Sequence, residues 1–173
     1  AKICFENNVQ LIHVSTDYVF DGKKNEPYVE SDLPSPINKY GLSKLLAENS
    51  ILKYNLKGSI IIRTSWIYSE FSNNFVRKII DKINLGNNFS VIDNEFGSPT
   101  NVLDLAKAIM YIIPHLNNET TEIYHFSNSG ICSRYDLAIE INRLINGKSI
   151  ISPIQSPKSL VRRPKFSALN PNK

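Results

Sequence analysis

The sequence predicts an α/β protein built on a mostly parallel β-sheet with helices on both faces. Short runs rich in β-branched and aromatic residues alternate along the chain with longer amphipathic segments, and this alternation is typical of parallel strands joined by helices. One run contains three consecutive isoleucines, at positions 60–62, which suits a strand covered on both faces. The length of 173 residues and the hydrophobic fraction of 42% are sufficient for one domain with a substantial core.

The predicted strands are short and are followed by polar or turn-forming residues. Residues 9–15 and 58–68 have the composition of buried strands, residues 88–100 are predicted to form a strand followed by a loop, and residues 122–130 a strand followed by a turn. Sheets of this kind bind ligands beyond the carboxyl ends of their strands. Turn chemistry alone could also explain polar clusters at strand ends. Such clusters lie at residues 15–18, 63–66 and 127–130.

Four segments have the apolar spacing of amphipathic helices. They span residues 39–55, 73–86, 101–116 and 133–147. Ser133 is a candidate N-cap, Gly147 is a stop signal for the last helix, and Pro114 limits the third segment. The tail from residue 151 to residue 173 is rich in Pro, Ser and Lys, and we expect it to be irregular.

The charge pattern argues against a nucleic-acid partner. The chain has a net charge of +4, and its basic residues are scattered, with no run longer than two. A duplex-binding protein would need a clustered basic stripe, whereas a small ligand that bears phosphate fits this mild excess.

The sequence predicts no metal site and no membrane segment. Cys4 and Cys132 match no metal or redox spacing, and the histidines at 13, 115 and 125 form no ligand pattern. No apolar run approaches the ~18 residues of a membrane helix, and no secretory signal pattern is present at the start. We therefore expect a cytoplasmic protein without membrane association.

The segment YGLSK, residues 40–44, places a tyrosine and a lysine one turn apart on a helix. Tyr40 and Lys44 could be ordinary solvated side chains, because the pair alone is weak evidence. However, the preceding strand ends with the hydroxyls of Ser15 and Thr16. A hydroxyl that holds a carbonyl oxygen, a phenol that donates a proton and a cation that favours the phenolate could together support carbonyl reduction by a hydride donor.

Several stretches resemble the dTDP-4-dehydrorhamnose reductase family of the extended short-chain dehydrogenase/reductase superfamily. The stretches are STDYVFDG, PYVESDLPSPINKYGLSKLLAE, RTSWIY, NNFV, FGSPT and RPKFSAL. The Tyr-x-x-x-Lys pair alone marks only the superfamily, whereas STDYVFDG joined to RTSW narrows the resemblance to this reductase and close relatives. The resemblance implies a partial Rossmann-like parallel sheet with helices on both faces and a small substrate-binding lobe.

The resemblance also implies an activity. The family reduces the 4-keto group of dTDP-4-dehydro-L-rhamnose with NADPH or NADH, which gives dTDP-L-rhamnose, a precursor of surface polysaccharide. By this resemblance, Thr16 would hold the sugar carbonyl and Tyr40 would donate the proton. Lys44 would assist Tyr40, and both would contact the nicotinamide ribose. Thr64 and Ser65 would lie at the nicotinamide end of the cofactor.

The implied substrate site comprises four residues, Thr16, Tyr18, Trp66 and Asn74. Trp66 matches the tryptophan that lines the family's sugar pocket, but a core aromatic at a strand end is a serious competing interpretation. We interpret Asp17 as a turn residue.

The sequence lacks the glycine-rich turn that binds dinucleotide phosphates. None of its seven glycines has G-x-G-x-x-G or G-x-x-G-x-x-G spacing, and Tyr40 comes earlier than the family pattern places it. We therefore expect a C-terminal portion of a reductase, inactive alone because productive cofactor binding is lost. An unpaired strand edge would favour self-association into a homo-oligomer.

The resemblance divides the chain into two interleaved parts. Residues 1–68, 101–118 and 122–130 would complete the nucleotide-binding domain, and residues 70–100 and 131–170 would form the nucleotide-sugar lobe. Two alternatives remain open: a reductase for another deoxysugar nucleotide, and a non-catalytic regulatory subunit with a reductase-like fold. The sequence leaves open the choice between NADPH and NADH, the nucleotide of the sugar, metal dependence and the oligomeric state.

Overall fold

The computed structural model describes residues 1–157 and 162–173, and it confirms the predicted α/β class. The main sheet is parallel, and its strand order is β1 (Ile12–Thr16), β2 (Ile60–Thr64), β7 (Glu122–His125). The register pairs Thr16 with Thr64 at the last position of both strands. Polar residues that follow β1 and β2 therefore meet at one edge of the sheet.

Helices cover both faces of this sheet. Helix α4 (Val102–Ile112) packs on the face that carries Val14 and Ile62. Because side chains alternate along a strand, the intervening residues point to the other face, where helix α2 (Lys39–Tyr54) lies against β1. Within the described residues, no helix combines the length and the apolar content needed to cross a membrane.

A smaller lobe has its own hydrophobic core. Helices α3 (Phe75–Asn84) and α5 (Arg134–Leu144) pack together beside a parallel pair formed by β4 (Phe89–Ile92) and β9 (Ile151–Ile154). The buried core residues of this lobe are Ile79, Ile83, Val91, Ala138, Ile141 and Ile151.

Short elements complete the fold. They are α1 (Lys2–Glu6), β3 (Ile67–Tyr68), β5 (Phe96–Gly97), β6 (Thr100–Asn101), β8 (Cys132–Ser133) and 3₁₀ helices at Asp17–Val19 and Ile113–His115. Strand β3 pairs with β6 in parallel, and β5 pairs with β8 in antiparallel fashion. In sequence, these short strands fall where the chain passes between elements of the main sheet and elements of the smaller lobe.

Two sequence predictions about the backbone were wrong. The tail is not irregular throughout, because residues 151–154 form an edge strand, where a proline is tolerated; the part of that prediction on residues 158–161 lies outside the described residues. The strand predicted at 58–68 is interrupted, because Trp66 has a φ of 43°, a left-handed conformation that does not occur in a regular strand.

Candidate active site

Thr16 is the last residue of β1, and its hydroxyl is already held by two neighbours. The hydroxyl accepts a hydrogen bond from the Tyr18 backbone N–H at 3.2 Å and donates one to Asp17 Oδ1 at 2.9 Å. The first bond makes Thr16 the N-cap of the 3₁₀ helix at Asp17–Val19. Strand end and helix cap together fix the position of this hydroxyl.

Helix α2 begins beside this strand end and carries Tyr40 and Lys44. Asn38 caps the helix by accepting from the Gly41 N–H at 2.8 Å. A Cβ atom at Gly41 would collide with the Tyr18 carbonyl, so the glycine allows α2 to approach the 3₁₀ helix closely. As a result, the Tyr40 ring contacts the Tyr18 ring edge-on, with centroids 5.9 Å apart.

The two members of the predicted pair have different surroundings. Tyr40 is 55% exposed and faces an open cleft. The Lys44 Nζ donates to the Val14 carbonyl at 2.7 Å, which ties its ammonium to β1. An ammonium has three donors, so two remain for other partners.

A buried ion pair lies under this helix. Glu48, two turns after Tyr40, pairs with Arg63 of β2 at 2.7 Å, and both side chains are almost fully buried. The Arg63 Nε is also within 3.1 and 3.2 Å of the two carboxylate oxygens, and the Ser15 hydroxyl donates to Glu48 at 2.5 Å. This network joins α2 to both strands whose ends form the site.

Thr64 and Ser65 are buried at the end of β2. Ser65 donates to the Ser98 carbonyl at 2.7 Å, so its hydroxyl connects β2 to the loop before β6. The Thr64 hydroxyl oxygen is buried and has no hydrogen-bond partner among the described residues. A buried polar atom without a partner is rare and indicates a place for a ligand or water.

Trp66 follows in its left-handed conformation and is held on two sides. A Cβ atom at Gly97 would lie 2.6 Å from the indole ring, so the ring rests directly on the backbone of β5. The Arg134 guanidinium carbon lies 4.3 Å from the Trp66 ring centroid and 5.3 Å from that of Phe75. This stacking connects the end of the main sheet to the first residue of α5.

Glu95 holds Arg134 from the other side. The Arg134 Nε lies 3.3 Å from Glu95 Oε2, and an Arg163 nitrogen lies 3.9 Å from the same oxygen. The Ser156 hydroxyl donates to the other carboxylate oxygen at 2.7 Å. Glu95 is buried, so its charge fixes the arginine rather than presenting an acid to the cleft.

A cleft of about 700 Å³ opens between the end of the main sheet and the smaller lobe. Tyr18, Tyr40 and Asn74 are among its lining residues. Its described charged lining residues are all cationic: Lys78, Lys82, Arg134 and Arg163. The cleft therefore suits a ligand that carries an anionic group.

Asn74 lines the cleft, but its side chain is used locally. Its oxygen accepts from the Arg77 N–H at 3.2 Å as the N-cap of α3, and its amide donates to the carbonyls of Ser69 and Ser72 at 2.6 and 2.8 Å. The local bonds fix the Asn74 side chain at the start of α3.

Two acidic groups near Thr16 have altered pKa values. Burial is the main cause that raises the pKa of Asp17 from 3.8 to about 6. Burial also raises the pKa of Tyr18, and the nearby Asp17 charge acts in the same direction. The interpretation of Asp17 as only a turn residue is too simple, because its carboxyl group is buried against Thr16.

The structure brings some of the predicted site residues together and leaves others apart. Thr16, Tyr18 and Tyr40 form a continuous series of contacts. Trp66 reaches the cleft through Arg134. Others do not belong to the described lining of the cleft: Thr16, Lys44, Thr64, Ser65 and Trp66.

Sequence reasoning missed Arg134, Glu95 and Glu48. Glu48 could have been found, because it lies eight residues after Tyr40 and four after Lys44, on the same helix face. Arg134 and Glu95 gave no signal, since their contact joins residues 39 apart in the chain. Among the residues that the structure describes, no group of three His, Cys, Asp or Glu side chains could hold a metal ion.

Comparison with known proteins identifies the family. Residues 1–173, the whole chain, match the family model described as the RmlD substrate binding domain. The chain belongs to this family. A relative from Streptomyces niveus, the dTDP-4-keto-6-deoxy-D-glucose reductase, is 34% identical over 172 residues, which are 98% of this chain and 59% of the relative.

Two solved structures with the same fold are dTDP-4-dehydrorhamnose reductases. The Bacillus anthracis protein, in complex with NADP, gives a TM-score of 0.87 at 36% identity over 95% of this chain and 58% of that protein. The Clostridium acetobutylicum protein gives a TM-score of 0.90 at 34% identity, over 97% of this chain and 59% of that protein. This RmlD substrate binding domain thus spans 58% to 59% of the length of these relatives.

Proposed function

We propose that this domain carries the catalytic and sugar-nucleotide part of an NADPH- or NADH-dependent reductase that converts dTDP-4-dehydro-L-rhamnose into dTDP-L-rhamnose. The observation that carries the proposal is the contact series Thr16–Tyr18–Tyr40 at the sheet edge, beside a cleft with cationic walls. The family match and the likeness to an NADP-bound reductase support the same reaction.

Each residue of the series has a chemical role in this proposal. The Thr16 hydroxyl, whose single proton is donated to Asp17 Oδ1 in the structure, would turn this proton to the keto oxygen of the sugar. The Tyr40 hydroxyl gives its proton to that oxygen as negative charge develops there. Lys44, tied to the Val14 carbonyl, holds a positive charge one turn from Tyr40 and stabilises the phenolate that remains.

The residues present fit the nicotinamide end of the cofactor. Two donors of the Lys44 ammonium remain for ribose hydroxyls, together with the Tyr40 hydroxyl. The unpartnered Thr64 hydroxyl supplies a buried polar contact for the nicotinamide end, and Ser65 lies beside it. When bound, NADPH or NADH supplies the hydride. The sequence has no glycine-rich phosphate turn, so turnover should be tested with the complete gene product.

The cationic walls fit the diphosphate of a nucleotide sugar. Lys78 and Lys82 lie one turn apart on α3, and Arg134 and Arg163, which share Glu95 as a partner, line the same cleft. Electrostatic attraction between such cationic side chains and the negative charges of a diphosphate acts over several ångströms. Tyr18, Trp66 and Asn74 would border the sugar, and Trp66 would do so through its stack with Arg134.

We further propose the interleaved division of the chain. Residues 1–68, 101–118 and 122–130 would serve the nucleotide-binding side, and residues 70–100 and 131–170 the nucleotide-sugar side. The separate core of α3, α5, β4 and β9 supports this division. A cytoplasmic location agrees with the use of NADPH or NADH. Self-association remains a prediction, which light scattering can test by measuring the molar mass in solution.

Product analysis with the complete gene product tests the proposal. Incubation with dTDP-4-dehydro-L-rhamnose and NADPH or NADH should consume the cofactor and give dTDP-L-rhamnose. The matched UDP-linked 4-keto-6-deoxysugar should react more slowly if the nucleotide is recognised. Binding of dTDP-L-rhamnose by this domain without turnover of either ketosugar would support a non-catalytic binding role instead.

The Tyr40→Phe variant tests the proton donor. It keeps the ring contact with Tyr18 but removes the hydroxyl, so kcat should fall by about 10² to 10⁴-fold while the nucleotide sugar still binds. Tyr111→Phe is the matched control, because Tyr111 is exposed on α4, away from the cleft, and should leave kcat unchanged. An unchanged kcat in Tyr40→Phe would eliminate the assignment.

Reduction of another deoxysugar nucleotide is the second candidate. The Streptomyces niveus relative, named for its reduction of dTDP-4-keto-6-deoxy-D-glucose, matches nearly the whole chain. A side-by-side assay of this ketosugar and dTDP-4-dehydro-L-rhamnose separates the two candidates by their kcat/KM values.

A further inference from the structure

Asp17 presents an acidic group to Thr16 from a fully enclosed position. The residue is 3% exposed, and its Oδ1 lies 2.9 Å from the Thr16 hydroxyl oxygen. Its Oδ2 is buried and has no hydrogen-bond partner among the described residues. An ionised carboxylate in such a place is costly, because this oxygen has lost water and no donor reaches it with good hydrogen-bond geometry; the Ser167 hydroxyl is only close enough to favour the ionised form.

The hydrogen bonds of the Thr16 hydroxyl depend on the state of this acid. A hydroxyl can donate once and accept twice, and the Tyr18 N–H already occupies one acceptor site. An ionised Asp17 can only accept, so it takes the single Thr16 proton. A protonated Asp17 can donate into the second acceptor site, and the Thr16 proton is then free to bind a carbonyl oxygen.

Several groups around Asp17 influence its ionisation. Burial is the largest influence and raises its pKa to about 6. The Ser167 and Thr16 hydroxyls and the backbone N–H of Asp17 favour the ionised form, and so does the Arg134 guanidinium from α5. Tyr18 is the neighbouring acid on the 3₁₀ helix. Both states of Asp17 are therefore accessible close to neutral pH.

We propose that Asp17 is a positioning residue for Thr16, which directs the Thr16 hydroxyl toward the substrate when protonated and away from it when ionised. The inference rests on the proposed function, because it takes the Thr16 hydroxyl as the group that holds the sugar carbonyl. When the substrate is bound and Asp17 is protonated, the Thr16 hydroxyl accepts from the Tyr18 N–H and from Asp17 and donates to the sugar carbonyl, so all its hydrogen-bonding sites are occupied. At a pH where Asp17 is ionised in the free protein, binding of the ketosugar should therefore draw a proton from solvent onto this carboxyl group.

The first test needs no ligand. With ¹³C-labelled aspartate carboxyl groups, NMR should show a resonance that is absent in Asp17→Asn and titrates with a midpoint at about pH 6. The Tyr18 amide proton should shift with the same midpoint, since its acceptor changes partners, and most of this response should be lost in Thr16→Val. An ordinary midpoint for Asp17, or an unchanged Tyr18 response in Thr16→Val, would refute the proposal.

The second test uses the pH profile of kcat/KM of the complete gene product. Above the pKa of Asp17, kcat/KM of the wild type should fall by up to about tenfold per pH unit, which gives the pH profile a descending limb. Asp17→Asn should lose this limb, because its amide donates to Thr16 at every pH, whereas Asp17→Ala should be slower throughout. Asp21→Asn, in the same loop and on an acid whose pKa is lowered, should keep the limb.

The outcomes separate this inference from the proposed function. The same limb in Asp17→Asn as in the wild type would refute the positioning role, although the reductase would still stand. A wild type that turns over neither ketosugar would count against the proposed function, and the NMR comparison of Asp17 with Thr16→Val would still decide the positioning role.

Discussion

The main sheet and the smaller lobe are each stabilised by a different kind of interaction. The sheet side of the site depends on a buried ion pair, because Glu48 of α2 bonds Arg63 of β2 and also accepts from Ser15 of β1. The smaller lobe packs α3 and α5 on β4 and β9 through a core of isoleucine, valine and alanine. The lobe also has one largely buried ion pair, between Arg134 and Glu95, but this pair lies beside the cleft and outside the apolar core.

The difference follows from what each region has to do. Hydrogen bonds and ion pairs are directional, so the Glu48 network fixes the rotation of α2 and with it the direction of Tyr40 and Lys44. Apolar packing has no preferred direction. It is sufficient to hold a wall of long cationic side chains, which could adjust to the diphosphate of the proposed substrate. The region that carries Thr16, Tyr40 and Lys44 is therefore the one that adds a buried polar network to its apolar packing.

Breaking the buried ion pair should have the largest effect. Glu48→Ala leaves the Arg63 charge buried without its partner, so the free energy of unfolding should fall by about 3 to 5 kcal/mol. The double variant Glu48→Leu with Arg63→Met should recover most of this loss, since it removes both charges. Urea denaturation of each variant provides the measurement.

A matched control for this prediction exists on α5. Arg143 and Glu140 form an equally short ion pair, at 2.6 Å, on the surface. Glu140→Ala should change the stability little, because water solvates both exposed charges. If Glu48→Ala were as mild as Glu140→Ala, the contrast between the two regions would be lost.

Asp17 should make the stability of the sheet side depend on pH. Its pKa is raised from 3.8 to about 6 on folding, so the folded state binds this proton more tightly than the unfolded state. The corresponding stability is present below the unfolded pKa and is lost as pH rises through about 6, and it amounts to about 3 kcal/mol.

The measurement is the difference in unfolding free energy between Asp17→Asn and the wild type. This difference should increase in favour of the variant by about 2.4 kcal/mol between about pH 4 and pH 7, because part of the unfolded state is also protonated at pH 4. Asp32, whose pKa is lowered chiefly by its bond to Lys24, acts in the opposite direction, but it is common to both proteins and cancels. A difference independent of pH would show that Asp17 has an ordinary pKa.

The fold was largely predictable from sequence, because its signals are local. The isoleucines at 60–62 gave the central strand, and Ser133 gave the start of α5, where the structure shows a reciprocal capping box with Asp136. β9 was missed because its proline and serine are typical of loops. The strand is formed by pairing with β4, about 60 residues earlier in the chain.

The candidate site was predictable only where its residues share one element or one motif. Tyr40 and Lys44 share a helix, and Thr16 belongs to a recognisable strand-end motif. Arg134 and Glu95 could not be paired, because their contact exists only after the smaller lobe has folded. The burial of Asp17 was equally invisible, since an aspartate after a strand is usually exposed in a turn.

Gly97→Ala should disturb the place where the two regions meet. The new Cβ atom would lie 2.6 Å from the Trp66 ring, so the indole must move and its stack with Arg134 must open. The Kd of dTDP-L-rhamnose should rise by about tenfold, equivalent to about 1.4 kcal/mol. Isothermal titration calorimetry measures this Kd directly.

Gly86→Ala is the control for an added methyl group. Gly86 follows α3 with a φ of 71° and has open space around it. The substitution should reduce the stability through its backbone conformation and leave the Kd unchanged. Equal values of Kd in Gly97→Ala and the wild type would exclude Trp66 from the sugar-nucleotide site.

Loss of the Ser133 cap should give the smallest change. Ser133 Oγ accepts from the Asp136 N–H at 2.9 Å, and Ser133→Ala should cost about 1 kcal/mol of stability. Asn38→Ala, which removes the cap of α2, should cost a similar amount, so stability alone does not distinguish the two regions. Their kinetic effects should differ, because Arg134 begins α5 whereas Tyr40 lies in the first turn of α2.

We therefore expect Ser133→Ala to raise the KM of the nucleotide sugar and Asn38→Ala to lower kcat, each by a few fold. Asn101→Ala is the control, because Asn101 caps α4 by accepting from the Leu103 N–H and carries no proposed site residue on its helix. It should reduce the stability and change neither constant. If both Ser133→Ala and Asn38→Ala lowered kcat and left KM unchanged, α5 would have no separate part in binding the nucleotide sugar. The main sheet and the smaller lobe would then not differ in their kinetic roles.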